Sequence, residues 1–419
     1  MKMKAKLKKT LSLIRRYILY YVIWPHYFKK YSKEPIDEKK VVFAYADTFK
    51  KIPDNLRCMK KYLESKGYTC VAIEHAENDP MARSSFLGKK LGLKVCEDFF
   101  REFCTAKALF LNEYYFPAYA CKPREGQRVV QLWHACGAFK KWGYSTAEKS
   151  WGASKKELQR FPIHNTYTDV CVSAPKVGFA YAEAFQCSEE IVKPFGVPRT
   201  DVFFDPSFVA SSRDILLKRF PKIGNRKIIL YAPTFRGDSI LSSYSENKLD
   251  FIKLKEAFGD EYVFVLKLHP RTAKMFHIPS KVKEVVGDFV FNATNCVEID
   301  RALCAADIVI SDYSSLVFEY SLLERPMLFF AYDLKEYDNA RSFYFKYEDF
   351  VPGPIVTDTQ QIIDTIRHVE TACDLNKVRQ FKADYMSACD GHSLERIAYE
   401  VLGVEPNTES ESCTEKETV

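Results

Sequence analysis

Apolar residues come in short runs, and these runs alternate with longer stretches of helical spacing. Residues 41–46, 69–74, 108–112, 129–133 and 169–173 each read as a strand. Helices are predicted over 56–66, where Gly67 stops the pattern, and over 176–185. The segment 195–201, FGVPRTD, is punctuated by Gly and Pro, and a second series begins after it. Its strands are predicted at 227–231, 262–268, 307–310 and 327–331, and its helices at 251–258, 298–305, 316–323 and 360–371. Two closing helices, about 376–388 and 393–401, are expected to pack back across both units. Alternating strands and helices predict an α/β fold of two domains. Their strand order is left open by periodicity.

Chemistry concentrates where strands run out into polar turns. The segment 307–330, DIVISDYSSLVFEYSLLERPMLFF, reads as strand, polar turn, helix, strand. Ligands of parallel sheets bind beyond the strand C-termini, where helix N-termini attract phosphate. Hydroxyls and free backbone N–H groups at Ser314 and Ser315 suit a diphosphate, although such serines more commonly cap a helix. His134 follows the strand 129–133 in a turn that contains Gly137. A loop histidine there can face a cleft and act as a base near neutral pH, the commoner alternative being a core histidine beside Trp133. His269 follows another strand, flanked by Lys267 and Arg271, and alternation puts Lys267 and His269 on one face. These three basic groups can neutralise a pyrophosphate or, alternatively, form a basic strand edge. Arg236 and Arg199 are further phosphate candidates, the alternatives being a turn cap and a hinge clip. Glu319 lies one helical turn beyond Ser315. Asp300 and Arg301 are expected to pair in solvent.

The motifs occur in a definite order. Gln131-Leu132-Trp133-His134 is followed by YAPTFR (231–236), KLHPR (267–271), the DYSS turn, Ala331-Tyr332-Asp333-Leu334, Phe343-Tyr344-Phe345 and Pro352-Gly353-Pro354. This set resembles the CDP-glycerol glycerophosphotransferase family, which builds the poly(polyol phosphate) chains of bacterial teichoic acids. The resemblance runs from about residue 41 to 402. It implies the GT-B type of fold, two Rossmann-like domains facing a cleft, with an acceptor-side domain at 36–195 and a CDP-donor-binding domain at 196–404. It implies His134 as catalytic base, and His269 as a second catalytic histidine acting with Lys267 and Arg271 on the diphosphate and departing CMP. Arg199, Thr234, Arg236, Asp312, Ser314 and Ser315 join the substrate-binding set, with Glu319 accepting from ribose hydroxyls. The expected reaction is in-line attack of an acceptor hydroxyl on the β-phosphorus of CDP-glycerol, CDP-ribitol being the alternative donor. The expected acceptor is a membrane lipid-linked saccharide or a growing teichoic or capsular polymer. One departure is Ala135, where the family places Gly directly after the histidine. No DxD-like pair stands out, so no metal or other cofactor is expected.

Two other readings compete. A GT-B glycosyltransferase or epimerase using a UDP-sugar would share the fold, and donor choice separates it. A non-catalytic membrane-bound scaffold is disfavoured by the joint presence of His134, His269, Arg271 and Ser314.

Length and charge complete the picture. A chain of 419 residues suits two cores, and 47% hydrophobic content is ample to fill them. Thirteen cysteines without CxxC or zinc spacing imply reduced thiols. Residues 1–33 hold ten basic residues and no acid, against a net charge of +7, so the rest of the chain is slightly acidic. Leu7, Leu11, Ile14, Ile18, Tyr21 and Trp24 lie among those charges. Residues 1–35 therefore predict a basic amphipathic helix on an anionic membrane, peripheral to the cytoplasmic face. The alternative is packing on the protein's own surface. No motif for nucleic acid accompanies the arm, and no run approaches the roughly 20 apolar residues of a spanning helix. The Glu-rich tail 405–419 is expected to be disordered.

Overall fold

The structure, a computed structural model, describes residues 2–46, 51–74, 86–149, 152–237, 244, 246–269 and 272–406, with backbone alone over 2–9 and 86–92. Arg271 and the tail from residue 407 lie outside the described residues.

Two six-stranded parallel sheets form the frame. The first contains β1 (Asp37–Tyr45), β2 (Thr69–Glu74), β3 (Ala106–Leu111), β4 (Arg128–Gln131), β5 (Asp169–Cys171) and β6 (Val192–Lys193), in the order β2-β1-β3-β4-β5-β6. The second contains β7 (Lys227–Ala232), β8 (Tyr262–Leu266), β9 (Val290–Asn292), β10 (Ile308–Ser311), β11 (Met327–Phe330) and β12 (Ile355–Val356), in the order β12-β11-β10-β7-β8-β9. Central strands such as β8, β10 and β11 are buried along their whole length, as parallel strands covered on both faces must be. In the second sheet the direction of winding reverses between β7 and β10, which opens a crevice at their C-terminal ends. Three edge strands lacked a sequence signal. β6, β9 and β12 are two or three residues long, too short to show a period.

The chain does not divide cleanly at the predicted boundary. Ile397, Ala398 and Val401 of the helix Ser393–Leu402 pack with Val41, Phe43, Leu56 and Met59 in the core of the first domain. Asp201, in the crossing segment, accepts from the backbone N–H groups of Ser393 and Leu394 at 3.0 and 2.9 Å and fixes that helix start. Residues 393–404 thus complete the first domain, while Ile229, Phe264, Ile310 and Leu328 centre the core of the second.

The domains are also joined by aromatic packing. Phe139, from the first domain, lies among Phe343, Tyr347 and Phe350 with ring centroids 5.3, 5.9 and 5.1 Å away. On either side of it the backbone pairs across the domains, Tyr344 N–H donating to the Phe139 carbonyl at 3.1 Å and Lys141 N–H to that of Ser342 at 3.0 Å.

The basic arm is helical over Lys2–Ile18, passes through a wider turn at Leu19–Ile23 and continues as the helix Trp24–Tyr31. Leu19, Tyr20 and Trp24 are buried in the first domain. Arg16 pairs with Glu157 and stacks 4.5 Å over Phe161, and Lys30 pairs with Glu97 at 2.8 Å. Part of the arm's charge is therefore met by the first domain, as the alternative of packing on the protein's own surface requires. Leu11, Ile14, Tyr17, Ile18, Tyr21 and Val22 remain exposed. Among the described residues no helix is long and apolar enough to cross a membrane.

Because Ile397 is fully buried in a core built mainly from residues 41–171, Ile397→Ala should cost about 2–5 kcal/mol. Urea unfolding of the full chain measures this. An unchanged midpoint would show that the helix merely rests on the surface.

Candidate functional site

A cavity of about 630 Å³ opens between the domains. Trp133, His134, Lys140 and Trp142 line it from the first domain, and Thr234, His269, Ser314, Ser315, Tyr337 and Arg341 from the second.

The first wall is built to present His134. β4 ends at Gln131, and the chain turns through Trp133 at φ +54°, a left-handed conformation that a bulky residue adopts only when its surroundings enforce it. Gln131 Oε1 accepts the Trp133 N–H at 2.9 Å, and Asn55 Nδ2 donates to the Trp133 carbonyl at 2.8 Å. Arg199 Nη1 donates to the His134 carbonyl at 3.0 Å. The His134 ring opens to the cleft and bonds the backbone of Asn112, just beyond β3. A ring nitrogen tied to a carbonyl leaves the other one a free lone pair. Enclosure by the cleft walls lowers the imidazole pKa below its usual value, and the neighbouring Arg199 and Lys140 charges lower it further. His134 is thus neutral at physiological pH, the state a general base requires.

Gly137 explains the displaced glycine. Its φ is +62°, and a Cβ there would sit 2.2 Å from the Phe318 ring. The glycine lets the loop after His134 touch the second domain.

The second wall forms at the β7–β10 crevice. Asp312 is buried and accepts from Thr234 N–H at 2.8 Å, Tyr313 N–H at 2.6 Å, the Thr234 hydroxyl and Arg236 Nη1 at 2.9 Å. Arg236 also grips Asp333 through Nε and Nη2, and its guanidinium lies 5.1–5.3 Å from the Tyr313, Tyr332 and Tyr337 rings. Neither Asp312 nor Arg236 lines the cavity. They brace the turn that carries Ser314 and Ser315 to its edge, whereas direct contact with substrate was expected of both. Thr234 reaches the cavity wall, but its hydroxyl is engaged by Asp312. His269 lines the cavity with its ring 5.1 Å from that of Phe235.

Four further expectations change. Lys267 borders the cavity but donates to the Thr294 carbonyl at 2.9 Å and to that of Val297, so it anchors the loop after β9. Arg199 does not face the cavity as a phosphate ligand. Its Nε donates to Glu319 Oε1 at 2.8 Å, and both side chains are nearly buried, so it is the hinge clip. Glu319 is correspondingly held by Arg199, where contact with ribose hydroxyls was expected. Asp300 is buried, and burial pushes its carboxyl up to about 6 against the pull of Arg199. Arg301 bonds Phe208 O and Ser211 Oγ, both at 2.8 Å, rather than pairing with Asp300 in solvent. Arg271 lies outside the described residues. Sequence reasoning passed over Asn55, Asn112 and Lys140. Lys140-Lys141, six residues after His134, was a visible signal, whereas Asn55 is an ordinary helix residue until the fold brings it to Trp133. Among the described residues no group of three or more His, Cys, Asp or Glu side chains is arranged to hold a metal ion.

Comparisons with known proteins meet this geometry. The family model described as CDP-glycerol:poly(glycerophosphate) glycerophosphotransferase matches residues 26–403. The chain is 37% identical, over 87% of its length and 91% of the relative, to the teichoic acid ribitol-phosphate primase of Bacillus spizizenii. It is 29% identical to the teichoic acid glycerol-phosphate primase of Bacillus subtilis, over 79% of its length and 82% of the relative. Among solved structures, the wall teichoic acid polymerase TagF superposes with a TM-score of 0.73 at 21% identity, covering 95% of this chain and 96% of that one, a likeness of fold.

The lowered pKa of His134 makes a pH prediction. The base acts in its neutral form, so kcat/KM should fall as pH drops through a value below 6.5, and His134 should cause no loss above it. His134→Gln should reduce the rate by about 10²–10⁴-fold and remove that acid limb. An acid limb, a loss of rate on lowering the pH, that lies above 6.5 and survives in the variant would assign the base elsewhere.

Proposed function

The chain belongs to the CDP-glycerol:poly(glycerophosphate) glycerophosphotransferase family, enzymes that transfer a polyol phosphate in teichoic acid synthesis, and from that premise we propose that it is a primase using CDP-ribitol. One observation carries the catalytic part of the reading. A neutral, oriented His134 faces Ser314, Ser315 and His269 across a single cavity. In this reading the donor diphosphate lies against the serine turn and His269. The acceptor enters beside His134, which takes the hydroxyl proton as the oxygen attacks the β-phosphorus. The pair of electrons from the broken phosphoanhydride bond leaves on CMP. Positioning and fixed charge supply most of the acceleration.

The donor expectation moves from glycerol to ribitol because identity is 37% with the ribitol-phosphate primase and 29% with the glycerol-phosphate primase. The primase reading rests on alignment along 91% and 82% of those two relatives. The acceptor is a lipid-linked saccharide or its short polyol-phosphate extension. Full-length protein incubated with such an acceptor and either CDP-ribitol or CDP-glycerol should release CMP faster from CDP-ribitol and add one or a few units by mass. Faster turnover of CDP-glycerol would overturn the donor assignment, and long products would overturn the primase reading. UDP release from a UDP-sugar would favour a glycosyltransferase instead.

We also propose that the arm holds the cleft at an anionic membrane. The exposed residues Leu11, Ile14, Ile18 and Val22 recur at helical spacing beside the basic residues. Each basic residue near such a surface contributes roughly 1 kcal/mol. Deleting the whole arm would remove the buried Trp24, so surface substitutions give a cleaner test. Leu11→Asp, Ile14→Asp and Val22→Asp combined should release the protein from phosphatidylglycerol vesicles at unchanged thermal stability. Undiminished co-sedimentation would leave the arm as a structural element alone.

A further inference from the structure

We propose that Lys140 is a further catalytic residue, whose ammonium holds the non-bridging oxygens of the transferring β-phosphoryl group while the acceptor oxygen attacks. The proposal rests on the polyol-phosphate transfer reading above and adds to it the group that meets the developing charge.

The first argument is placement. The residues on both sides of Lys140 are pinned by backbone bonds to the second domain, Phe139 O to Tyr344 N–H and Lys141 N–H to Ser342 O. Lys140 is thus carried on a rigid crossing, and its side chain lines the cavity that also holds His134 and Ser314. Its charge is felt at His134, on the side of the base, and it is itself drawn by Asp312, at the root of the serine turn. The lysine therefore shares one cavity with the proton acceptor and the serine turn.

The second argument is the disposition of the other cations. Arg199 is spent on Glu319, Arg236 on Asp312 and Asp333, and Lys267 on backbone carbonyls. Lys140 Nζ has the Tyr337 hydroxyl at 3.4 Å and the Tyr337 ring at 5.9 Å, both neutral contacts. A half-buried ammonium whose direct contacts are to a phenol, with Asp312 acting only from a distance, is incompletely compensated. A phosphoryl group entering the cavity would supply the missing counter-charge and form charge-assisted hydrogen bonds.

Electrostatics agree with this placement. Desolvation lowers the lysine to about 8, with Arg341 and Arg236 lowering it and Asp312 raising it. The phosphoryl group would raise it again. The transfer balances without further reactants. The acceptor O–P bond forms, the bond from the β-phosphorus to the bridging oxygen breaks, and its electron pair leaves on CMP. The acceptor proton goes to His134, and Lys140 keeps its protons throughout.

The test compares full-length wild type, Lys140→Met and Lys140→Arg. Lys140→Met should lose about 10²–10³-fold in kcat, while calorimetric affinity for CMP and the melting temperature stay near wild type. Wild-type kcat/KM should fall as pH rises through about 8, because the active lysine is the charged one. Lys140→Arg should recover much of the lost rate and carry that alkaline limb out of the assay range. Near-normal kcat in Lys140→Met, or an alkaline limb unmoved in Lys140→Arg, overturns the proposal. Should Lys140→Met fail to fold, the limb in Lys140→Arg decides alone. If wild type releases no CMP from either CDP-ribitol or CDP-glycerol, the transfer reading itself falls and the role of Lys140 with it. A Lys140→Met enzyme as fast as an active wild type removes the lysine alone.

Discussion

The arrangement of the site depends on one buried ion pair. Arg199 extends from the crossing between the domains, with Nε and Nη2 on the Glu319 carboxylate and Nη1 on the His134 carbonyl, while Asn55 accepts its backbone N–H at 3.0 Å. Buried pairs add little net stability, since desolvation offsets attraction, but loss of one partner leaves an uncompensated charge worth about 3–5 kcal/mol. The pair therefore acts as a registry device. It obliges the crossing segment, the turn of His134 and the helix Leu316–Ser321 to occupy one mutual position. Phe139, seated among Phe343, Tyr347 and Phe350, reinforces the same position through apolar contact. The base and the serine turn are thus aligned by contacts that belong to both domains.

Around that registry the charged residues divide by depth. Asp312, Arg236 and Asp333 form a layer in which each charge has its partner, and the tyrosine rings about Arg236 exclude water from it. Such a layer has little capacity left for a ligand, but it makes the turn above it rigid. His134, His269, Lys140 and the two serines occupy the next layer, at the cavity wall. Rigid polar groups already facing the ligand need not reorganise during reaction, which is the condition under which fixed charges are most effective.

Much of this was legible because strand periods and turn residues are local properties. The strands about Phe43, Phe110, Leu230 and Ile310 announced themselves by apolar runs, and the DYSS turn and His134 by where those runs stopped. Edge strands of two or three residues carry no period, so β6, β9 and β12 were invisible. Roles decided by a distant partner were equally hidden. Nothing in the neighbourhood of Glu319 reveals that Arg199, 120 positions away, will take its carboxylate. Lys267 looked like a phosphate ligand because alternation was extended past Leu266, where the strand ends. The left-handed Trp133 could not be foreseen either, since it is imposed by Gln131 and Asn55 rather than by its own preference.

The return of the helix Ser393–Leu402 to the first domain bears on the order in which the protein is made. Domains commonly fold as they leave the ribosome, N-terminal first. Here the first sheet lacks Ile397, Ala398 and Val401 until late in synthesis, and its face beside Val41, Phe43 and Leu56 stays open until then. The core around Ile229, Phe264 and Ile310 draws on nothing beyond Cys373 and can close earlier. The half begun first is finished last. During that interval its apolar face lacks the cover that the closing helix provides.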